Sequence, residues 1–230
     1  MAHNQRSHSY ERACEARKHH SHLSKGLFLR ARQRPQTIML DKLIGQKFVC
    51  PWWLCFTFDN PLRKLLHNPE VILGPYIQPG NNVVDVGAGM GYFSIPMARL
   101  VGPAGHVTAI DIQTEMLSAL ARKAQRRGVS ERITTYLAGP GSLDHHSKAD
   151  FILAFWMVHE VPDQRRFLLE IYNLLKPDGR FLLVEPIVHV PKKSFLQTLE
   201  TAEDIGFFIK ENPRIRISHS ALLGCNKNGL

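Results

Sequence analysis

The chain has 230 residues, 44% of them hydrophobic, which suits one domain with a sizeable core and a short extension. No apolar run approaches the roughly 18 residues of a membrane span, and the basic, His-rich start lacks the apolar stretch of a secretory signal. The net charge of +9 invites a nucleic-acid partner, but residues 1–38 hold eight Lys or Arg against two Glu, so the remainder is close to neutral.

Residues 1–38 contain few large apolar side chains, five histidines and no apolar periodicity, so they are expected to stay loose. Three roles stay open for them: a solvated extension or upstream-start artefact, a weak nucleic-acid or membrane-surface tail, or metal capture by Cys14 with His19, His20 and His22. That last spacing fits no structural zinc pattern, and no metal is expected. Cys14, Cys50, Cys55 and Cys225 form no disulfide framework, so a reducing cytoplasm is the expected location.

Residues 39–80 read as a helical cap. An aromatic loop, Cys50-Pro51-Trp52-Trp53-Leu54-Cys55-Phe56, precedes two short helices opened by Asn60-Pro61 and Asn68-Pro69. Trp52 and Trp53 form either a lid over an apolar or cationic substrate or an anchor docking the cap. Pro79-Gly80 turns the chain into the first core strand.

From residue 81 onward strands and helices alternate, the pattern of a mostly parallel sheet covered on both faces. Strands are predicted at 82–86, 106–110, 132–137, 150–155, 180–185, 206–211 and 214–219, and helices at 91–101, 114–127, 163–175 and 193–205. Thr114 is the expected cap of the second helix and Gly128 its stop, with Lys176-Pro177-Asp178-Gly179 a turn.

Four segments carry chemistry. Val83-Val84-Asp85-Val86-Gly87-Ala88-Gly89-Met90-Gly91-Tyr92-Phe93 is a strand ending in a glycine turn and a helix. Such a turn lets backbone approach a ligand where any Cβ would collide. The dinucleotide pattern G-x-G-x-x-G would need a third glycine at 92, where this chain has Tyr92, which disfavours a nicotinamide dehydrogenase. The second segment ends a strand in Asp111, whose two carboxylate oxygens can accept both ribose hydroxyls, with Ile112 against an adenine face or simply in the core.

The third segment runs from Ala149 through Phe155-Trp156-Met157-Val158-His159-Glu160 to Asp163. His159 is a candidate general base, with Glu160 to orient it or to bind a cationic substrate; a packing or capping pair is the alternative. Trp156 is a candidate substrate contact, lying where substrate meets cofactor in open α/β sheets. The fourth segment is Leu174-Leu175-Lys176-Pro177-Asp178-Gly179-Arg180-Phe181-Leu182-Leu183-Val184-Glu185-Pro186.

In order and spacing these segments resemble the methyltransferase type 11 branch of the class I S-adenosylmethionine (SAM)-dependent methyltransferases, over about residues 80–225. The resemblance implies a Rossmann-like sandwich with a seven-stranded, mostly parallel sheet whose last strand is antiparallel, and SAM as cofactor. It implies that Asp85, Gly87, Ala88, Gly89, Gly91 and Tyr92 line the methionine and ribose side of SAM. Asp111 would hold the ribose, Ile112 the adenine, and Phe155 the strand edge near the methyl donor. One departure is the segment Ala138-Gly139-Pro140-Gly141-Ser142-Leu143, where the family commonly has an Asp near the adenine amino group; backbone groups or Ser142 would substitute.

The strand-four loop lacks the Asn/Asp-Pro-Pro-aromatic run of many amino-methylating enzymes. With the near-neutral core this disfavours nucleic acid and favours a small-molecule acceptor. The alternatives are an RNA or protein methyltransferase recruited through the basic tail, and a SAM-binding regulatory protein without turnover.

Overall fold

The structure, a computed structural model, describes residues 65–139, 141–225 and 227. Trp52, Trp53, the 1–38 extension and most of the 39–80 cap lie outside the described residues. Five helices have bounds within them: α1 (Pro69–Leu73), α2 (Ser94–Leu100), α3 (Thr114–Arg126), α4 (Gln164–Leu174) and α5 (Lys192–Ile205). The strands are β1 (Asn82–Val86), β2 (His106–Asp111), β3 (Ile133–Leu137), β4 (Ala149–Phe155), β5 (Leu175–Pro186), β6 (Phe207–Glu211) and β7 (Ser218–Cys225).

They form one seven-stranded sheet in the order β3-β2-β1-β4-β5-β7-β6. The first five of these neighbours pair in parallel, while β7 runs antiparallel to both β5 and β6. This is the Rossmann-like methyltransferase arrangement expected from the sequence. Strand order reverses at β1, which pairs with β2 on one side and β4 on the other. The crevice at the carboxyl ends of β1, β2 and β4 is therefore the ligand position that this topology offers.

Strand alternation divides the core into two layers. Val84, Ile110, Ile152, Phe181 and Leu183 face one side with Leu168 and Ile171 of α4 and Leu199 of α5. Val83, Val107, Phe151, Leu153 and Leu182 face the other with Met97 of α2 and Leu120 of α3. Leu73, Tyr76 and Ile77 are buried in that second layer, so the chain just before β1 packs on the sheet.

Local chemistry explains the helix ends. Asn68 caps α1 by accepting from the Glu70 amide, and Asp163 caps α4 by accepting from Arg166. Gly128, at φ +67°, ends α3 with the Val129 amide donating to the Ala124 carbonyl, a Schellman closure.

The structure departs from the sequence reading at three places. Thr114 is the first residue of α3 rather than its cap; Gln113 holds the cap position, and its backbone amide donates to the Asp111 carboxylate. The Lys176–Gly179 turn is absorbed as a bulge in β5, where the register to β4 shifts between Ala149 and Phe151. A Cβ at Gly179 would sit 2.9 Å from the Ala149 carbonyl oxygen. Finally, β7 is displaced from 214–219 to Ser218–Cys225. Ile215 and Ile217 suggested a strand by alternation, but Ile217 has φ +49° and turns the chain into β7.

Candidate active site

The glycine turn leaves β1 with three left-handed residues, Gly87 (φ +73°), Gly89 (φ +52°) and Gly91 (φ +80°). Two of them serve packing: a Cβ at Gly87 would lie 2.9 Å from Met157 Cγ, and one at Gly91 2.8 Å from Leu120 Cγ. Gly89 differs, because a Cβ there meets nothing within 4 Å. Its face is open to the crevice.

The amides of Gly87 and Ala88 both donate to the Ile110 carbonyl, at 2.9 and 3.0 Å, tying the turn to the end of β2. Asp111 completes that tie: its Oδ2 accepts from the Gly89 amide at 2.8 Å and its Oδ1 from the Gln113 amide at 2.9 Å. Burial pushes the Asp111 carboxyl above the usual range, while the amides of Gln113, Gly89 and Ile112 pull it back down. Ile112, next in the chain, is 52% exposed.

Asp85 is buried and accepts from Ser94 Oγ at 2.5 Å, so its carboxylate braces the first turn of α2. Ala88 is buried. Tyr92 donates from its hydroxyl to the His67 carbonyl at 2.8 Å, joining the glycine turn to the segment before α1.

Beyond β4 lies an aromatic wall. Phe155 packs against Phe93 with ring centroids 4.5 Å apart, and His67 meets Phe155 and Trp156 edge-on at 5.1 and 4.9 Å. His67 is buried, and its Nε2 donates to the Arg216 carbonyl at 2.9 Å. Trp156 stands at φ +62°, a conformation a bulky residue adopts only when its surroundings hold it. Its amide donates to the Val184 carbonyl at 2.8 Å and its Nε1 to Ser218 Oγ at 3.0 Å.

Val158–Glu160 forms a 3-10 turn after this wall. There His159 Nδ1 donates to Glu185 Oε2 at 2.5 Å, and its backbone amide donates to Glu185 Oε1 at 3.1 Å. Glu185 is nearly inaccessible at the end of β5. Its hydrogen bond raises the His159 pKa against the opposing effect of burial, and the charges of Glu185 and Glu160 raise it further. Glu185 thus orients His159 by hydrogen bonds, and the charge of Glu160 acts on it as well. Sequence reasoning passed over both Glu185 and His67. For Glu185 the signal was present, since an acid closing the strand next to β4 must face the β4 loop.

The segment around Ser142 is held by side-chain bonds. Ser142 Oγ donates to Asp144 Oδ1 at 2.8 Å and lies 3.1 Å from Glu170 Oε1, which draws Ser142 into loop closure. Glu170 Oε2 accepts from the Leu143 amide at 2.6 Å, so α4 fastens this loop. Among the described residues, no group of three or more His, Cys, Asp or Glu could hold a metal ion.

Residues 77–208 match a family profile described as a methyltransferase domain. With the sheet order and the turn above, this defines the class, and the chain belongs to the class I SAM-dependent methyltransferase family. A demethylmenaquinone methyltransferase of Symbiobacterium thermophilum is 31% identical over 117 residues, 50% of this chain and 47% of that protein. A ribosomal protein L11 methyltransferase of Geobacillus thermodenitrificans is 34% identical over 140 residues, 60% of this chain and 41% of that protein. The chain therefore spans less than half the length of these curated relatives. Among solved structures, a SAM-dependent methyltransferase from Aquifex aeolicus superposes with a TM-score of 0.68 at 22% identity, covering 76% of this chain and 98% of that one.

The cofactor of this family is S-adenosylmethionine, and the crevice suits it. The open face of Gly89, the carboxylate of Asp111 and the exposed side chain of Ile112 follow one another at the ends of β1 and β2.

Proposed function

We propose that the chain is an S-adenosylmethionine-dependent methyltransferase acting on a small molecule. The observation that carries this reading is the bond between the Asp111 carboxylate and the Gly89 amide, with Gly89 open and Ile112 exposed beside it. In this reading Gly87, Ala88, Gly89 and Gly91 offer backbone to the amino-acid part of the cofactor. Asp111 accepts from the ribose hydroxyls, Ile112 covers the adenine, and Phe155 borders the methyl group. Asp85 and Tyr92 hold the turn in shape rather than touch the ligand, through Ser94 and the His67 carbonyl. When bound, the cofactor supplies an electrophilic methyl group on a positively charged sulfur. The protein positions donor and acceptor and excludes water.

A small molecule is favoured by the near-neutral charge outside residues 1–38. A protein or RNA acceptor recruited through the +6 of that segment is the second reading. It requires RNA or protein binding that weakens with salt and disappears when residues 1–38 are deleted. A cytoplasmic location belongs to the same proposal, supported by the absence of a disulfide pattern among four cysteines.

Calorimetric titration of the 230-residue chain with S-adenosylmethionine, S-adenosylhomocysteine and NAD tests the cofactor assignment. Binding of both adenosyl ligands without NAD is the expected outcome. Silence with both adenosyl ligands would overturn the proposal.

A further inference from the structure

The His159–Glu185 pair sits beneath an unusual surface. Ile187 and Val188, directly after β5, are 47% and 80% exposed, and Ile217 is 42% exposed. Single exposed apolar residues need no explanation. These three are joined, because the Ile187 amide donates to the Ile217 carbonyl at 3.1 Å. They also belong to the site: Glu185 lies two residues before Ile187, and the ring of His189 is 5.9 Å from that of His159. Arg216, beside Ile217, receives the His67 bond, and Ser218 receives the Trp156 bond. Hydrogen bonds thus tie this exposed apolar rim to the segment that holds His67 and Trp156 of the aromatic wall.

The polar groups in this corner narrow the ligand. Both Glu185 oxygens are taken by His159, so Glu185 itself offers no carboxylate to a cationic acceptor, and the charge of Glu160 acts on His159. With Nδ1–H donated to Glu185, neutral His159 keeps its lone pair on Nε2. The wall presents rings whose indole and imidazole N–H groups are already donated elsewhere. An acceptor suited to this corner has an aromatic, uncharged body and a proton to give up.

We propose that the methyl acceptor is an apolar aromatic alcohol, its ring seated on the Ile187–Val188–Ile217 rim, and that Glu185 is the positioning residue that makes His159 the base for its hydroxyl. This rests on the methyltransferase reading above. The O–H bond breaks, leaving its electron pair on oxygen, and the proton goes to His159 Nε2. The oxygen takes the methyl group while the methyl–sulfur pair stays with sulfur. The charged and titratable groups facing His159 are Glu185 from β5, Glu160 from its own turn and His189 from the turn after β5. His219 of β7 stands opposite Glu185 in register.

The test uses 2-naphthol with the 230-residue chain, and 2-naphthylamine as its comparison. Binding of 2-naphthol is measured by fluorescence on protein saturated with S-adenosylhomocysteine, and methyl transfer separately. The proposal expects 2-naphthol to bind and to be methylated on oxygen, with the amine turned over far more slowly. Val188→Asp, at a well-exposed position, should weaken naphthol binding about tenfold without changing S-adenosylhomocysteine affinity. Glu185→Gln should lower kcat about a hundredfold with little change in KM, and move the rising limb of the pH profile to lower pH. NMR titration of the His159 ring should show the same downward move without any turnover.

If S-adenosylmethionine binds but 2-naphthol neither binds nor reacts, or the amine reacts equally well, the acceptor class is overturned and the methyltransferase reading stands. An unmoved His159 titration in a folded Glu185→Gln protein overturns the role of Glu185. Absence of S-adenosylmethionine binding overturns the parent reading instead.

Discussion

Asp111 is a buried acid that burial works against and that backbone amides partly rescue. A folded-state pKa above the ordinary value means that its ionisation opposes folding: the contribution is favourable below the unfolded pKa and is lost as pH rises through the folded one. Asp111→Asn keeps one oxygen for the Gly89 or Gln113 amide and buries no charge. Its stability should therefore stay within about 1 kcal/mol of the parent, while S-adenosylmethionine affinity falls about tenfold or more. Thermal melts beside calorimetry check this; a Tm that collapses with the affinity would make Asp111 a structural acid. His159 has the same sign with a different cause, since Glu185 raises its pKa. Its stabilisation is complete below the unfolded value near 6.5 and is lost as pH rises through the folded value. The Tm gap between parent and Glu185→Gln should thus be widest below about pH 6.5 and narrow as pH rises through the raised folded value. Asp111 and His159 were legible as candidate site residues because each closes or follows a strand in a recognisable segment. His67 was not, because its placement depends on contacts with Arg216 and Tyr92 far along the chain.

The glycine turn illustrates what an element can and cannot announce. Three glycines at alternate positions look equivalent in sequence, yet Gly91 abuts Leu120 while Gly89 faces open space. Gly91→Ala places a Cβ 2.8 Å from Leu120 Cγ at φ +80°, which should destabilise the fold by about 1–3 kcal/mol. Gly89→Ala adds only the milder backbone cost of a left-handed residue, about 1 kcal/mol, and should act mainly on cofactor affinity. Urea unfolding and S-adenosylmethionine titration on the two variants separate the effects; equal stability loss in both would refute the division. At the same scale, β1, β2 and β4 were legible within a residue of their bounds, because buried parallel strands read as unbroken apolar runs ended by turn residues. The β7 strand was not. Its apolar run, Ala221-Leu222-Leu223-Gly224-Cys225, is short and ends in Gly and Cys. The alternation of Ile215 and Ile217 before it offered a stronger but misleading pattern.

For the whole molecule, the consequence of that displaced strand is that the carboxyl-terminal segment lies inside the sheet. The β7 strand stands between β5 and β6, and among the described residues β6 pairs with β7 alone. Leu222 and Leu223 project into the two opposite core layers and are almost entirely buried. Removing either side chain would cost about 2–5 kcal/mol, against a total of about 5–15 kcal/mol for a typical domain. A chain ended after Ile217 loses both, along with the paired edges of β5 and β6. It should fail to fold, giving no cooperative melt by circular dichroism and no S-adenosylmethionine binding. Deletion of residues 1–38 is expected to do the opposite, because the family match begins at residue 77 and the described members of both core layers lie after residue 65. That shortened protein should melt cooperatively within a few degrees of the full chain and bind S-adenosylmethionine with unchanged affinity. A loss of folding on this deletion would make the basic segment part of the domain. A stable protein lacking β7 would mean that the sheet closes without its antiparallel strand.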